Sequence, residues 1–329
     1  MSDESAHFND ESSRPQGLLR LGYLIQNTRA HPFSLTFHDL SNLFIIGTRA
    51  EDIYYNLFIQ LCDDHRIPVL VLTGRRTPGF EEQVCECPLW HLDLSTDRVT
   101  FNIFDLAQGL HPFKHISILI GLFEEFTPLS PLARDLLQVI LWNVILTTTN
   151  PTVKYLQSVL PEYHSYGSAY QEIHQLLEAL PHQLFTTNYD NISLTRLQHL
   201  PTLITGSSLP ESTFIFNLLL LKLLAKSEKQ LPPLFLVDPP PLNPQLFHWL
   251  CTCYSLTKSP LVIIDTHDAI PTPQSSTQFN YILTNSQGSN STDLWQQLTP
   301  EEQELLNQNS DHIAVRLLSE PTTRIINIF

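Results

Sequence analysis

Short apolar runs, each bounded by turn-forming residues, recur along the chain: "NLFIIG" (42–47), "PVLVLTG" (68–74), "PLFLVD" (233–238), "PLVIID" (260–265) and "NYILTN" (280–285). The first four are β-branched, only a few residues long and apolar on both faces. Strands of that kind sit in the middle of a parallel sheet, covered by helices on either side. "DHIAVRLL" (311–318) and "TRIINIF" (323–329) read as a closing pair of strands. Helical segments at 53–64, 244–257 and 292–298 alternate with the strands. This is the pattern of an α/β protein with a mainly parallel sheet.

Between "FNIFDL" (101–106) and "PLFLVD" the period changes from strand to helix. The runs there are "HISILIGLFEEF" (115–126), "PLARDLLQVILWNVIL" (131–146), "NPTVKYLQSVL" (150–160), "SAYQEIHQLLEAL" (168–180), "SLTRLQHL" (193–200) and "PESTFIFNLLLLKLLAKSE" (210–228). Pro131, Pro151 and Pro210 stand where a first helical turn tolerates proline. No comparable strand is expected in this stretch. The organisation expected is an acidic disordered tail at 1–16, a first part of the α/β core at 17–106, a helical insert at 107–230 and a second part of the core at 231–329.

The formal charge of −15 argues against a free-standing DNA binder, whose affinity comes from basic residues on phosphates. The longest apolar run, "FIFNLLLLKLLA" (214–225), is too short for a membrane span and carries Lys222. The opening "MSDESAHFNDESSRP" is acidic and polar, unlike a signal peptide. Five cysteines, an odd number, fit a reducing compartment, and the expected location is cytoplasmic. Cys85/Cys87 and Cys251/Cys253 form two C-x-C pairs, read either as small, partly buried side chains or as a four-thiolate zinc site. Zinc sites more often use C-x-x-C spacing, so no metal is expected.

The most informative stretch is "NLFIIGTRAEDIYYNLFIQL" (42–61), which reads as strand, turn and helix. A phosphate-binding loop has this layout and the pattern G-x-x-x-x-G-K-[ST]. Counted from Gly47, the second glycine falls on Asp52, the lysine on Ile53 and the hydroxyl residue on Tyr54. Asp52 can cap a helix starting near Ile53 and sit well against its dipole. Its carboxylate repels a phosphate about 5 Å away by about 3 kcal/mol per unit charge at an effective dielectric near 20, and Glu51 adds to this. Arg49 is the nearby cation, able to pair with Glu51 or Asp52 or to contact a phosphate. By itself the stretch is either a phosphate loop that has lost its chemistry or an ordinary capped helix.

Taken together, six segments resemble the HerA/FtsK superfamily of ring-forming, DNA-pumping ATPases, in its HerA-like branch. The resemblance covers roughly residues 17–329. "LGYLIQNTRAHPFSLTFHDLSNLFIIGT" is similar to the family's opening glycine, short strand and Walker A strand. "PVLVLTGRRTPGF" resembles the next strand, with Thr73 near a place where the family often has an acid. "VTFNIFDLAQGLHPFKHISILIGLFEEFTPLSPLARDLLQVILWNVI" resembles the segment leading into the helical insert. "PPLFLVDPPP" stands where the family has its Walker B strand and D-E pair; Asp238 is kept and the glutamate position is Pro239. "SPLVIIDTHDAIP" resembles the strand ending in a γ-phosphate-sensing pair, here Thr266 and His267. "LTPEEQELLNQNSDHIAVRLLSEPTTRIINI" is similar to the closing segment.

The resemblance implies a RecA-like fold. It places a degenerate nucleotide site at Gly47, Thr48, Arg49, Asp52, Ile53 and Tyr54, with Asp238, Pro239, Thr266 and His267 opposite. Lysine, hydroxyl and glutamate are absent together. Without lysine and Mg²⁺ the charge of phosphoryl transfer has no stabiliser, and without glutamate no group orients the attacking water. The implied function is that of a catalytically inactive structural or regulatory subunit of an ATPase assembly. Its implied partners are other HerA-like subunits or an active ATPase, with DNA met only inside that assembly. The alternatives are an active or nucleotide-binding translocase using unconventional residues, with ATP and Mg²⁺ as cofactors, and a small-molecule or peptide binding module reusing the crevice.

Overall fold

The computed structural model describes residues 18–26, 29–47, 50–74, 89–94, 100, 102–104, 111–148, 151–180, 197, 199–206, 210–226, 231–265, 280–284, 298–308, 312–317 and 320–328. In chain order the elements are β1 (Leu18–Gln26), β2 (Arg29–Thr36), β3 (Leu43–Ile46), α1 (Ala50–Ile59) with a π-helical turn (Gln60–Asp64), β4 (Leu70–Thr73) and β5 (Trp90–Asp93). Then follow α2 (Pro112–Glu124), α3 (Pro131–Thr147), α4 (Val153–Val159), a 3-10 turn (Leu160–Tyr166) and α5 (Ser168–Ala179). The chain closes with β6 (Thr202–Thr205), α6 (Pro210–Lys226), β7 (Leu234–Val237), α7 (Pro244–Thr257), β8 (Leu261–Asp265), β9 (Asn280–Thr284), α8 (Pro300–Gln308), β10 (His312–Leu317) and β11 (Glu320–Ile328).

All eleven strands join one sheet in the order β2-β1-β11-β10-β9-β3-β8-β7-β4-β6-β5. Every pairing from β9 to β5 is parallel. The remaining strands form an antiparallel extension beyond β9. The expectation that 42–47, 233–238 and 260–265 lie side by side is met by β3, β8 and β7, every residue of which is buried.

Burial on both faces follows from the side-chain alternation of a strand. Phe44, Ile46, Leu70, Leu72, Leu234, Leu236, Leu261 and Ile263 enter one core. Leu43, Ile45, Val71, Phe235, Val237, Val262 and Ile264 enter the other. The first core is closed by α2 to α7, with Phe126 edge-on to Phe214 at 4.6 Å. The second is closed by α1 and the β1–β2 hairpin. The Gln60 side chain ties hairpin to helix. Its amide nitrogen donates to the Arg20 carbonyl (2.9 Å) and its oxygen accepts from the Arg20 N–H (2.7 Å).

Two helices pin the passage from β5 to the helical layer. The buried Lys222 ammonium of α6 donates to the Asn102 carbonyl at 2.6 Å. The buried His115 ring of α2 lies 3.2 Å from the Ile103 carbonyl, which accepts from Nε2–H.

Three features depart from the expected layout. A strand, β6, lies within the stretch expected to be wholly helical, paired with β4 on one side and β5 on the other. Four residues between Pro201 and Gly206 are too few to show a strand period beside long helical runs. Trp90–Asp93, half-buried and mixed in polarity, forms a second unexpected strand. Helix α1 begins at Ala50 and not near Ile53. The expected tail at 1–16, most of "SLTRLQHL" and nearly all of the helix at 292–298 lie outside the described residues. No helix among the described residues is long and apolar enough to cross a membrane.

Tyr254 is fully buried on α7, and its hydroxyl donates to the Pro232 carbonyl at 3.0 Å just before β7. Tyr254→Phe leaves that carbonyl without its donor. We expect a loss of about 1 to 2 kcal/mol in urea unfolding, with no change in far-UV circular dichroism.

Candidate functional site

The carboxyl ends of the parallel strands form one continuous backbone-bonded edge. The N–H of Gly47 donates to the Asp265 carbonyl (3.1 Å), that of Asp238 to Ile264 (2.9 Å), and that of Gly74 to Val237 (3.1 Å). Further along, Gly206 donates to Thr73 (2.7 Å) and Leu94 to Thr205 (2.8 Å). In open α/β sheets this edge is where ligands bind. Four of the sequence-predicted site residues meet here: Gly47, Asp238, Pro239 and, one helical turn on, Asp52. Thr48, Arg49, Thr266 and His267 lie outside the described residues.

The turn after β3 is short. Gly47 has φ +112°, a conformation that favours glycine, and its carbonyl accepts from the Ala50 N–H at 3.0 Å. The helix has then already begun. Asp52 is therefore the third residue of α1, and the helix starts earlier than the expected position near Ile53. Ala50, Glu51 and Asp52 suit a first helical turn, because alanine favours helix and acids complement the N-terminal dipole. Both acids are exposed. Ile53 and Tyr54, which hold the lysine and hydroxyl positions of the phosphate-loop frame, are each only 3 % exposed and belong to the second core. Both side chains are thus enclosed by the protein.

Beyond Asp238, whose φ of +40° is unusual for a residue other than glycine, the chain enters the run Pro239–Pro241. It then crosses the end of β4. A Cβ placed on Gly74 would meet the Asp238 carbonyl oxygen at 2.3 Å and the Pro240 nitrogen at 2.8 Å. The run is held from behind by Asn217, fully buried on α6. Its amide donates to the carbonyls of Thr213 (2.9 Å) and Pro241 (3.1 Å), and its oxygen accepts from the Asn243 N–H (3.0 Å). Asn243 caps α7 by accepting from the N–H groups of Gln245 and Leu246. Its side chain also bonds Glu125, whose carboxyl pKa is raised by burial against a smaller lowering from that bond.

A residue missed from the sequence is Asp265. It closes β8, lies directly beside Ile46 in register, and is 3 % exposed. The signal the sequence carries for it is a carboxylate ending an otherwise apolar strand, just before Thr266 and His267. On the opposite face, Thr73 and Thr205 are buried and in register, and Thr205 Oγ1 lies 3.2 Å from His91 Nε2. Asp265 and Asp238 on neighbouring strand ends, with Glu51 and Asp52 on α1, give this part of the edge an acidic character. The described residues of the turn, 47 and 50–54, contain no lysine or arginine.

The C-x-C pair at Cys251 and Cys253 falls within α7. Positions two apart on a helix do not face each other, so the two thiols cannot grip one ion together. Burial pushes the Cys251 thiol up to about 12 and raises that of Cys253. Cys85 and Cys87 lie outside the described residues. Among the described residues no group of three His, Cys, Asp or Glu side chains could hold a metal ion.

A parallel sheet with helices on both faces and a site edge at its strand ends defines the α/β, RecA-like class. No protein-family model matches the chain, and no curated protein matches it. Solved structures do. VirB4 of Thermoanaerobacter pseudethanolicus is similar with a TM-score of 0.66 and 12% identity, over 94% of this chain and 96% of that one. The plasmid coupling protein TrwB in complex with ADP and Mg²⁺ is similar with a TM-score of 0.54 and 10% identity, over 95% of each chain. TrwB in complex with the ATP analogue ADPNP gives 0.53 and 10%, over 97% of this chain and 96% of that one. At such identities the likeness is one of fold.

Gly74→Ala forces the Asp238–Pro240 backbone to move, and we expect a loss of about 2 kcal/mol or more in denaturant unfolding. The Cys251 thiol stays neutral in the fold but ionises near its ordinary 9.0 once unfolded. Its contribution is thus complete below pH about 9 and lost as pH rises towards about 12. Cys251→Ala should show a smaller fall in melting temperature across that window than the parent.

Proposed function

We propose that the protein is a RecA-like ATPase homologue of the HerA/FtsK type that does not hydrolyse nucleotide. In this reading it serves as a structural or regulatory subunit of an ATPase assembly that processes DNA. The observation carrying this reading is the burial in α1 of Ile53 and Tyr54, the residues that fall on the lysine and hydroxyl positions of the motif counted from Gly47. The acidic groups Glu51 and Asp52 in the first turn of α1 oppose a polyphosphate. Pro239 stands in place of the carboxylate that would position water. The likeness in fold to VirB4, and to the plasmid coupling protein TrwB in complex with nucleotide, supports a place in this superfamily. The partners are other HerA-like subunits or an active ATPase, DNA is reached through that assembly, and the setting is cytoplasmic. Neither ATP nor Mg²⁺ is required for this role.

The test is thermal unfolding and calorimetric titration with Mg·ATP. A site filled at 100 times its Kd adds about 2.7 kcal/mol, so we expect no shift in melting temperature and no heat above dilution. Substituting Ile53→Lys should not create binding, because the new ammonium enters the second core. It should instead destabilise the fold by about 3 kcal/mol or more. Saturable ATP binding by the parent, or turnover, would overturn the reading and favour a translocase using unconventional residues.

A further inference from the structure

Helix α3 carries a line of apolar side chains among the polar residues on the side that faces water. Its inner face buries Ala133, Leu136, Leu137, Ile140, Leu141, Val144 and Ile145. Its outer face presents Leu132, Val139 and Leu146, which are 56%, 51% and 55% exposed. These three repeat every seven residues, so they form one line along the helix. An exposed apolar line of this length, flanked by polar residues, is suited to packing against another surface.

The outer line is symmetric about Val139. Leu132 and Leu146 lie seven residues to either side, and Asp135 and Asn143, both exposed, lie four residues to either side. A two-fold interface requires this kind of self-complementarity, because residue i meets j and j meets i. We propose that this face of α3 is a self-association surface, with a second copy of the chain packed antiparallel across a two-fold axis at Val139. Leu132 then packs on the partner subunit's Leu146, and Val139 meets the partner subunit's Val139. The Asp135 carboxylate accepts a hydrogen bond from the partner subunit's Asn143. Asn143 already donates one amide hydrogen to the Tyr163 hydroxyl at 3.0 Å, which orients the group and leaves its second hydrogen for this contact. Arg134, the neighbouring cation, is engaged by Glu124.

Charge decides against an electrostatic origin. Each copy carries −15, so long-range repulsion opposes pairing. Within the contact the two Asp135 carboxylates fall on opposite sides of the axis, about 12 Å apart along the helices at 1.5 Å per residue. That exceeds the Debye length of about 8 Å at physiological salt. The stripe, about 21 Å long and one helix diameter wide, is smaller than the roughly 800 Å² per partner of a stable dimer. Flanking side chains must contribute. Asn143 brings Tyr163 and its neighbour Tyr166 to one side of the stripe, and Trp142 stacks on His111 at 6.5 Å. The expected pair is weak, with a Kd on the order of 10 µM. The inference does not depend on whether the edge of the sheet binds nucleotide.

Sedimentation of the full chain from about 1 to about 200 µM tests it. We expect reversible dimerisation that tightens as salt rises, the opposite of a charge-driven contact. Val139→Glu places two carboxylates on the axis and should weaken the dimer by at least about 30-fold, with an unchanged melting temperature because the site is exposed. Leu146→Glu is the second variant and should act alike. Mild oxidation reads the geometry. Val139→Cys should cross-link with itself beyond the background of the native cysteines. Leu132→Cys alone should not, and a mixture of Leu132→Cys with Leu146→Cys should. A chain that stays monomeric throughout, a dimer indifferent to both glutamate variants, or self-cross-linking at Leu132→Cys in place of Val139→Cys would each overturn the proposal.

Discussion

The structure depends on three strands that have no wet face. β3, β8 and β7 are four or five residues long, and every side chain is buried. Strands so short cannot be stable unless both faces are covered, and covering both forces helices onto each side of the sheet. The parallel register of β3 on β8 and of β8 on β7 then fixes where the strands end. Gly47, Asp265 and Asp238 are placed together by that register. The geometry of the candidate site is thus set by hydrophobic burial in the sheet and only afterwards by its polar residues.

The central strands were legible because their apolar residues run without alternation and stop at glycine or aspartate. The closing pair β10 and β11 was legible for the related reason that a tight connection joins two apolar runs. β6 was not legible: "TLIT" has no alternation to detect, and its strand character comes from pairing with β4 and β5, far away in sequence. β5 is similar, since "WHLD" becomes a strand by bonding to β6. At the site, the motif frame counted from Gly47 placed the helix start too late. Local chemistry pointed elsewhere, because Ala50, Glu51 and Asp52 are good first-turn residues and Ile53, Leu57 and Phe58 already mark a buried helical stripe. The burial of Asp265 was beyond the sequence, since it arises from the neighbouring strand ends.

Part of the edge, at the end of β4, is crossed by the protein's own backbone. The proline run crosses the end of β4, Gly74 admits it, and Asn217 and Asn243 hold it with bonds to main-chain groups. The left-handed turn at Asp238 sends the chain on this course. A segment that is both conformationally restricted by proline and bonded at its far end has little freedom to follow a ligand.

The two bonds to the carbonyls of Asn102 and Ile103 have a mechanical side. Lys222 and His115 come from helices on different parts of the chain, and they grip adjacent residues of the strap that joins the sheet to the helical layer. A pull on that layer is therefore shared with α6, buried from Phe214 to Leu224, before it can peel β5 from the sheet edge. Strain delivered by a partner at the outer helices would spread along the sheet as a shear load on several strands at once.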